Sequence, residues 1–548
     1  MPVLKILFDR FERLTGLSKE KILDRLPFLG LDIEGTDKES VRIEYNPNRP
    51  DFSTDYGIAR ALKGLVGKEV GVKPYRAAPG KETVFANKNL PKVRPFIACA
   101  VARNLKLDEE TIRQLISMQE DLHNGLGRKR RKVAIGLHDL AAISFPVYYS
   151  GKDARFAFTP LGSSEEMTVK EILKDTETGQ AYGHILASAP AYPMLFDSKG
   201  QVLSFPPIIN GQKTKVETTT RSLFIDVTST DARLGSETLA IICCALADAG
   251  GTIETVTVKY AKAKSVTPNL APSKMKFDAK LAQALTGLSL SKKEMKDSLR
   301  RSRLDLDGKG FAIIPSYRVD ILHQVDLAEE VVIGYGLDRM TSQYPPSSDA
   351  GQFDPGITRV EEMCLTMAEA GFDETMNFDL ADDPTLYGKF GRSSESKLEI
   401  ENPRSAEHYP LRDSLLPTLM GVLGRNTLNE YPQRIFEAGK VFLRAGSGLK
   451  EATSMAALSA HSSSSFTEAK MHMEALVKRH FGEAAETRPA SHWAFAEGRC
   501  AEAFVNGISL GYLGEIKPGA IAAFGLDVPV CGFELDLSMR SKNPRLLS

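Results

Sequence analysis

Nowhere in the sequence does an apolar run approach the roughly 18 residues that a membrane-spanning helix needs. The opening MPVLKILFDRFERL interrupts its apolar positions with charges, so no secretory leader is expected in it. A cytoplasmic chain without a membrane span is the expectation. Cysteine is scarce: six occur, at 99, 243, 244, 364, 500 and 531, and no two form a CxxC pair. Zinc-ribbon and dithiol-redox readings therefore have no support, and reduced, mostly buried thiols are expected. A charge surplus is missing as well, with 70 basic against 70 acidic residues. A chain that grips nucleic acid alone usually carries a basic excess, so any such contact falls to local patches or to a partner. No internal repeat is evident, and the only low-complexity stretch is the serine run 462–465.

What is present is length and ordinary globular composition. With 548 residues, 42% hydrophobic and 26% charged, the chain is too long for one core, and about three or four domains are expected. Residues 1–86 read as a small α/β module: a helix over 5–15, a second capped by Ser18 and closed by Pro27, a strand over 41–46, and a helix from 53–55. Between the last two lies a two-proline loop presenting Arg49 and Asp51, whose paired charges are read as fixing its shape. A Pro/Lys-rich linker is expected over 72–95. The segment 87–266 mixes strands (132–139, 223–230, 252–260) with a helix capped by Asp108 and a buried helix over 237–250. Segment 267–345 alternates helices with a strand near 311–317. Segment 346–548 opens on a Pro/Ser/Gly linker, followed by a helix over 358–370 and a strand over 374–380.

The densest chemistry lies in PSYRVDILHQVDLAEEVVIGYG, 315–336. On a helix from Val325, the carboxylates Asp326, Glu329 and Glu330 share one face, with Asp320 just upstream. Four acids so close repel one another unless Arg318 or a cation neutralises them. Oxygen donors favour Mg²⁺ over zinc, while acids in a first turn also serve simply to complement the helix dipole. A second feature is the cationic run Arg128-Lys129-Arg130-Arg131-Lys132, readable as a phosphate-binding patch or as a solvated loop.

The 315–336 string resembles the B5-domain signature of phenylalanyl-tRNA synthetase β subunits, Pro-x-x-Arg-x-Asp-Ile…Asp-Leu-x-Glu-Glu-Val…Gly-Tyr. NPNRPDFSTDYGIARAL (46–62) is similar to that family's N-terminal motif. LSFPPIIN (203–210) with LFIDVTSTD (223–231) resembles its B3/B4 editing domain, and ENPRSAEHYPLRDSLLPTLM (401–420) with RIFEAGKVF (434–442) its B6/B7 domain. The matches run in family order along essentially the whole chain, and the length fits the archaeal/eukaryotic branch. Ser229 departs from a common family glycine.

The resemblance implies a multidomain α/β and α+β architecture. Its parts are an N-terminal module (1–86), an editing domain (87–266), a B5 domain with an acidic Mg²⁺ site (267–345), and a catalytically inactive class II synthetase-like antiparallel-sheet domain (346–548). It implies Mg²⁺ linked to Asp320, Asp326, Glu329 and Glu330. It also implies ATP bound mainly by a separate catalytic α subunit, tRNA-Phe as substrate, and two αβ pairs in the assembly. The editing pocket falls on Leu203, Ser204, Pro206, Asn210, Asp226 and Thr228. Hydrolytic proofreading has a physical rationale, because a phenylalanine site rejects tyrosine poorly when a hydroxyl is merely added. Ser204, Asn210 and Thr228 suit an ester and a water, and Asp226 suits the tyrosyl hydroxyl. No Ser-His-Asp or Cys-His arrangement is evident, so a positioned water is favoured over a covalent intermediate. His138, in GLHD, reads more readily as a satisfied core histidine than as a general base. Arg412, Asp413 and Glu437 read as interface or core-satisfying charges. The alternatives are a free-standing deacylase acting in trans and a tRNA-docking scaffold with an inactive editing site.

Overall fold

The structure is a computed structural model that describes residues 1–87, 93–344, 350–405, 407–446 and 448–538. Parts of both expected linkers (88–92 and 345–349), and Ala406 of the 401–420 motif, lie outside the described residues. The chain forms two compact units, Met1–Tyr344 and Pro345–Ser548.

The first unit holds three main sheets. The N-terminal one orders Val3–Leu7, Ser40–Glu44 and Asp32–Thr36, all antiparallel. The helix expected from residue 5 begins instead at Phe8 and runs to Thr15. The reason lies in VLKIL, whose period-two pattern buries Leu4 and Ile6 and pairs them with Ile43 and Val41. Cross-strand burial overrides the helical reading there. Ser18 caps the next helix, Lys19–Arg25, by accepting from the Lys21 N–H.

A ten-stranded sheet dominates the unit. Its path runs Ile209–Asn210, Val202–Phe205, Tyr192–Phe196, Val147–Lys152, Thr83–Ala86, Thr252–Lys259, Phe96–Arg103, Leu223–Ser229 and Val133–Asp139, with Lys264–Thr267 beside Thr252–Lys259. Thr83–Ala86, from the stretch read as a linker, lies inside the sheet and runs parallel to both neighbours. Every residue of Leu223–Ser229 is buried, the signature of a strand covered on both faces. One face packs Leu115, Met118 and Leu122 of the helix Glu109–Asn124, and Leu239, Ile242 and Leu246 of the helix Ala232–Asp248, against Ala98, Ile225 and Ile135. The other face buries Leu203, Phe224, Tyr149 and Val101. Asp108 caps the first of these helices through the Thr111 N–H. The third sheet (Ser273–Lys276, Phe311–Ile314, Asp305–Leu306) packs with the helices Lys292–Arg301 and Gln324–Tyr335 around Leu299, Ile314 and Leu327.

The second unit is a seven-stranded sheet ordered Asp373–Glu374, Gln433–Ala445, Gly448–Ala460, Val530–Asp536, Ile508–Ile516, Phe495–Val505 and Glu486–Pro489, antiparallel except at its first pair. The helix Leu416–Arg425 covers one face through Leu416, Leu419 and Leu423. Pro355–Glu369 and Phe466–Phe481 cover the other through Met367, Met473 and Leu476. The strand expected over 374–380 stops at Glu374. Asn377 there hydrogen-bonds the Glu437 carboxylate through its backbone N–H (3.2 Å) and its side-chain amide (2.7 Å), which replaces ladder bonding. Among the described residues no helix is long and apolar enough to cross a membrane.

Candidate functional site

A pocket of about 350 Å³ opens where the helix Glu109–Asn124 crosses the end of the large sheet. Strand Val133–Asp139 forms one wall, and the Phe205–Ile208 connection between the strands Val202–Phe205 and Ile209–Asn210 forms another. Four of the six residues expected at an editing pocket line it: Ser204, Pro206, Asn210 and Asp226. Leu203 and Thr228 do not. Strand alternation turns Leu203 to the opposite face, into the core with Phe224 and Tyr149. Thr228 lies two residues beyond Asp226, fully buried, and its hydroxyl donates to the Ala134 carbonyl at 3.4 Å. Ser229 is turned away: its hydroxyl donates to the Asp231 carbonyl at 2.6 Å, and it borders a different cavity.

Asp226 is held from behind. His138 Nε2 lies 2.8 Å from its Oδ1, and His138 Nδ1 lies 2.9 Å from the Thr214 hydroxyl. The assignment consistent with a carboxylate has Nε2–H donating to Asp226 and Nδ1 accepting from Thr214. His138 is fully buried and satisfied on both nitrogens, as a core histidine is. Gly136 sits opposite Asp226 in the ladder, and a Cβ there would come 2.2 Å from Asp226 Oδ1 and 2.5 Å from His138 Nε2. Only a glycine leaves the pair this room. Across the pocket, the buried Ser204 Oγ has no hydrogen-bond partner among the described residues. An orphaned buried hydroxyl at a pocket wall marks a place for a ligand or a water.

The remaining wall carries residues that the sequence did not single out for this pocket. Glu120 Oε1 accepts from Arg130 Nη2 at 2.7 Å and faces His123 Nδ1 at 3.3 Å. The His123 hydrogen bond, with the Arg130 charge, brings the Glu120 carboxyl down to about 2. Burial lowers the pKa of His123, whose Nε2 accepts from the Ile135 N–H. Arg130 Nη1 donates to the Pro207 and Ile208 carbonyls at 3.3 and 3.0 Å, and its guanidinium stands over the Tyr182 ring. It thus ties the helix to the Pro206-Pro207 turn. The basic run signalled Arg130, but not that this one cation faces inward.

The acidic constellation divides in two. Asp320 accepts from Arg318 Nε and Nη2 at 2.9 and 2.7 Å, and Glu330 accepts from the same guanidinium. Burial would raise Asp320, but the Arg318 charge and hydrogen bonds hold it below the usual range. Arg49, which also pairs with Asp51, lies 3.9 Å from Asp320 and 3.7 Å from Glu330. Arg318 and Arg49 therefore supply the neutralising charge there. Asp326 Oδ2 accepts from the Leu322 and His323 N–H groups at the head of the helix Gln324–Tyr335. Glu329 is exposed, and its pKa is raised by partial burial and then by the charges of Glu330 and Asp326. Among the described residues no three His, Cys, Asp or Glu side chains are grouped to hold a metal. Mg²⁺ commonly needs only one or two carboxylates and keeps several waters. The residues fit such an ion only in that reduced form, at Asp326 and Glu329.

In the second unit Arg412 and Glu437 are both buried and paired at 2.5 Å, with Arg412 also donating to the Lys440 carbonyl. Asp413 pairs with Arg392. Glu534, raised by burial to about 6, accepts from the Ser414 hydroxyl and the Leu415 N–H.

Comparison with known proteins bears on both units. Residues 275–337 match the family model described as tRNA synthetase B5 domain, and 342–537 the one described as phenylalanyl tRNA synthetase beta chain CLM domain. The chain is 41% identical over 544 residues to the phenylalanine–tRNA ligase beta subunit of Archaeoglobus fulgidus, covering 98% of each chain. It is 36% identical over 545 residues to that of Methanococcoides burtonii, covering 98% of this chain and all of the relative. A solved N-terminal fragment of the phenylalanyl-tRNA synthetase beta subunit from Pyrococcus horikoshii matches with a TM-score of 0.59 and 34% identity, over 61% of this chain and 99% of the fragment.

Proposed function

Because the chain belongs to the phenylalanine–tRNA ligase β-subunit family, we propose that, within that ligase, it hydrolyses mischarged tyrosyl-tRNA in the pocket of its large sheet. It serves as the β subunit of an aminoacyl-tRNA ligase acting in protein biosynthesis. The observation that carries the proofreading reading is the pairing of a buried, unsatisfied Ser204 hydroxyl with a carboxylate, Asp226, fastened by His138 in the same pocket. Asp226 accepts the hydrogen bond of the tyrosyl hydroxyl, a group that phenylalanine lacks. A buried acceptor left unpaired by phenylalanine discriminates far better than a cavity that must reject an added hydroxyl.

Ser204 and Asn210 hold the ester and its attacking water. Ser204 has no base within hydrogen-bonding reach among the described residues, so the bond to the amino acid is cut by water rather than by an acyl-serine route. Leu203 and Thr228 act from behind, one packing the strand and the other bracing Asp226's strand against Val133–Asp139.

The remaining assignments follow the same family. Residues 1–86, 87–266, 267–345 and 346–548 serve as N-terminal, editing, B5 and synthetase-like domains. Phenylalanine is activated with ATP on a separate α subunit, two αβ pairs making the assembly in the cytoplasm. The 346–548 domain is catalytically silent, since its buried Arg412 is already neutralised by Glu437. Met376, Phe378 and Leu428, 95%, 77% and 100% exposed, give that domain apolar surface for docking the α subunit. Asp326 and Glu329 would hold Mg²⁺, while Asp320 and Glu330 fix Arg318 beside them. When bound there, the ion would supply a positive charge against the repulsion of these carboxylates at the helix head.

The test is hydrolysis of tyrosyl-tRNA by the αβ complex carrying Asp226→Ala. Clearance is expected to fall at least tenfold while aminoacylation with phenylalanine is retained. Wild-type clearance by that variant would remove Asp226 from the site.

A further inference from the structure

Arg128, Lys129 and Arg130 occupy three consecutive left-handed positions, with φ of 47°, 54° and 62°. L side chains rarely adopt this conformation even singly. The turn is fastened into it. Arg130 N–H donates to the His123 carbonyl at 3.0 Å, and Lys132 N–H to the Gly127 carbonyl at 2.8 Å. The fully buried Arg94 donates to the Arg130 carbonyl and, at 2.9 Å, to the Thr228 carbonyl. A Cβ at Gly127 would come 2.4 Å from the His123 carbonyl oxygen, so the turn is pressed against the end of its helix. A charge run that merely stays solvated needs none of these constraints.

The turn sorts the cations. Arg130 points into the proofreading pocket, where Glu120 and the Pro207 and Ile208 carbonyls take up its donors. Arg128 and Lys132 line a separate open cleft of about 640 Å³, together with Arg233, Asn48 and Asp231. The acids of that cleft are engaged: Asp231 caps the helix Ala232–Asp248 through the Leu234 N–H, and Glu237 pairs with Arg233 at 2.7 Å. Arg128 and Lys132 are exposed, and among the described residues neither has an ion-pair partner.

We infer that this cleft holds backbone phosphates of the single-stranded 3′ end of the aminoacylated tRNA while the ester enters the neighbouring pocket. The inference rests on the proofreading reading above. Such a substrate is a small aminoacyl ester on a polyanion. A pocket of about 350 Å³ accommodates the ester end only, so the nucleotides behind it must lie outside. One rigid turn borders both spaces and presents its unpaired cations to the outer one. Fixed cations contact phosphates without the ordering cost that a mobile loop carries.

The αβ complex would be prepared as wild type and with Arg128→Glu, Lys132→Glu or Lys129→Glu, the last side chain lining neither space. Hydrolysis would be followed on tyrosyl-tRNA and on the tyrosyl ester of adenosine, which carries no phosphate. Arg128→Glu and Lys132→Glu are expected to raise KM for the tRNA about tenfold, leaving kcat and the nucleoside ester unchanged. In both, the log–log salt slope of tRNA binding falls by about 0.7 for each phosphate no longer neutralised, and Lys129→Glu behaves as wild type. Unchanged KM and salt slope in the two cleft variants would overturn the inference, and so would equal loss on both substrates, which means a damaged pocket. Should wild type hydrolyse neither substrate, the proofreading reading fails. The salt slope of tRNA binding still decides the cleft, a reduced slope supporting it and an unchanged one removing it.

Discussion

At the scale of single residues, the pocket depends on an atom that is not there. Gly136 makes room for the Asp226–His138 contact, and a methyl group at that position must displace one of them. Gly136→Ala is expected to destabilise the first unit by about 1–3 kcal/mol, the usual range for overpacking, and to cost tyrosyl-tRNA hydrolysis more than tenfold. Thermal melting and a hydrolysis assay on the same sample check this. Full activity with a normal melt would show that the pair relocates freely. The sequence made Ser204 and Asp226 legible through their motifs, and GLHD flagged His138. It could not reveal Gly136 or Glu120 as pocket residues. Neither stands out by type: Gly136 meets Asp226 only once the strand Val133–Asp139 pairs with Leu223–Ser229 across some ninety positions of sequence, and Glu120 lines the same pocket from the helix Glu109–Asn124. Arg130 was visible as a charge but not as an inward one, because backbone φ decides its direction.

At the scale of elements, helices with side-chain caps were the most readable. Ser18 and Asp108 sit where a cap satisfies free N–H groups, and both helices start there. Val3–Leu7 escapes the sequence because five residues of alternating pattern look helical when joined to the amphipathic run that follows, and only pairing with Ser40–Glu44 separates them. The head of Gln324–Tyr335 combines both lessons. Spacing placed Asp326, Glu329 and Glu330 on one helix, yet Arg318 and Arg49 take up Glu330, and Asp326 turns one oxygen back to cap the helix. If Mg²⁺ binds at Asp326 and Glu329, adding millimolar Mg²⁺ to the full chain raises its melting temperature, and Glu329→Gln removes that increment while leaving the metal-free melt nearly unchanged. A Mg²⁺ effect that survives Glu329→Gln would place the ion elsewhere. Arg318→Ala is a different case: it strands Asp320 and Glu330 without their partner, and a loss of about 3–5 kcal/mol is expected from such buried pairs.

At the scale of the whole molecule, the chain divides after Tyr344 into two compact units. Composition and length foretold several domains but not where they coalesce. The three N-terminal segments share ion pairs across their expected borders, Arg10 with Asp108, Arg60 with Asp248, and Arg49 with Glu330. They are separable in sequence but form one unit. A chain ending at Tyr344 is therefore expected to fold cooperatively alone, melt in one transition, and hydrolyse the tyrosyl ester of adenosine. Two resolved transitions from that fragment would show that the segments are independent after all.

Thr83–Ala86 carries a consequence for how the protein is made. This strand lies between Val147–Lys152 and Thr252–Lys259 and runs parallel to both. Once it has left the ribosome, roughly 170 further residues must be synthesised before its second neighbour exists, on the order of ten to thirty seconds at about 5–20 residues per second. During that interval an apolar segment, with Val84 destined for the core, waits with at least one edge open, because Val147–Lys152 can cover only the other. The nascent first unit is thus most exposed to misassociation midway through its own translation, and it closes only when Thr252–Lys259 arrives.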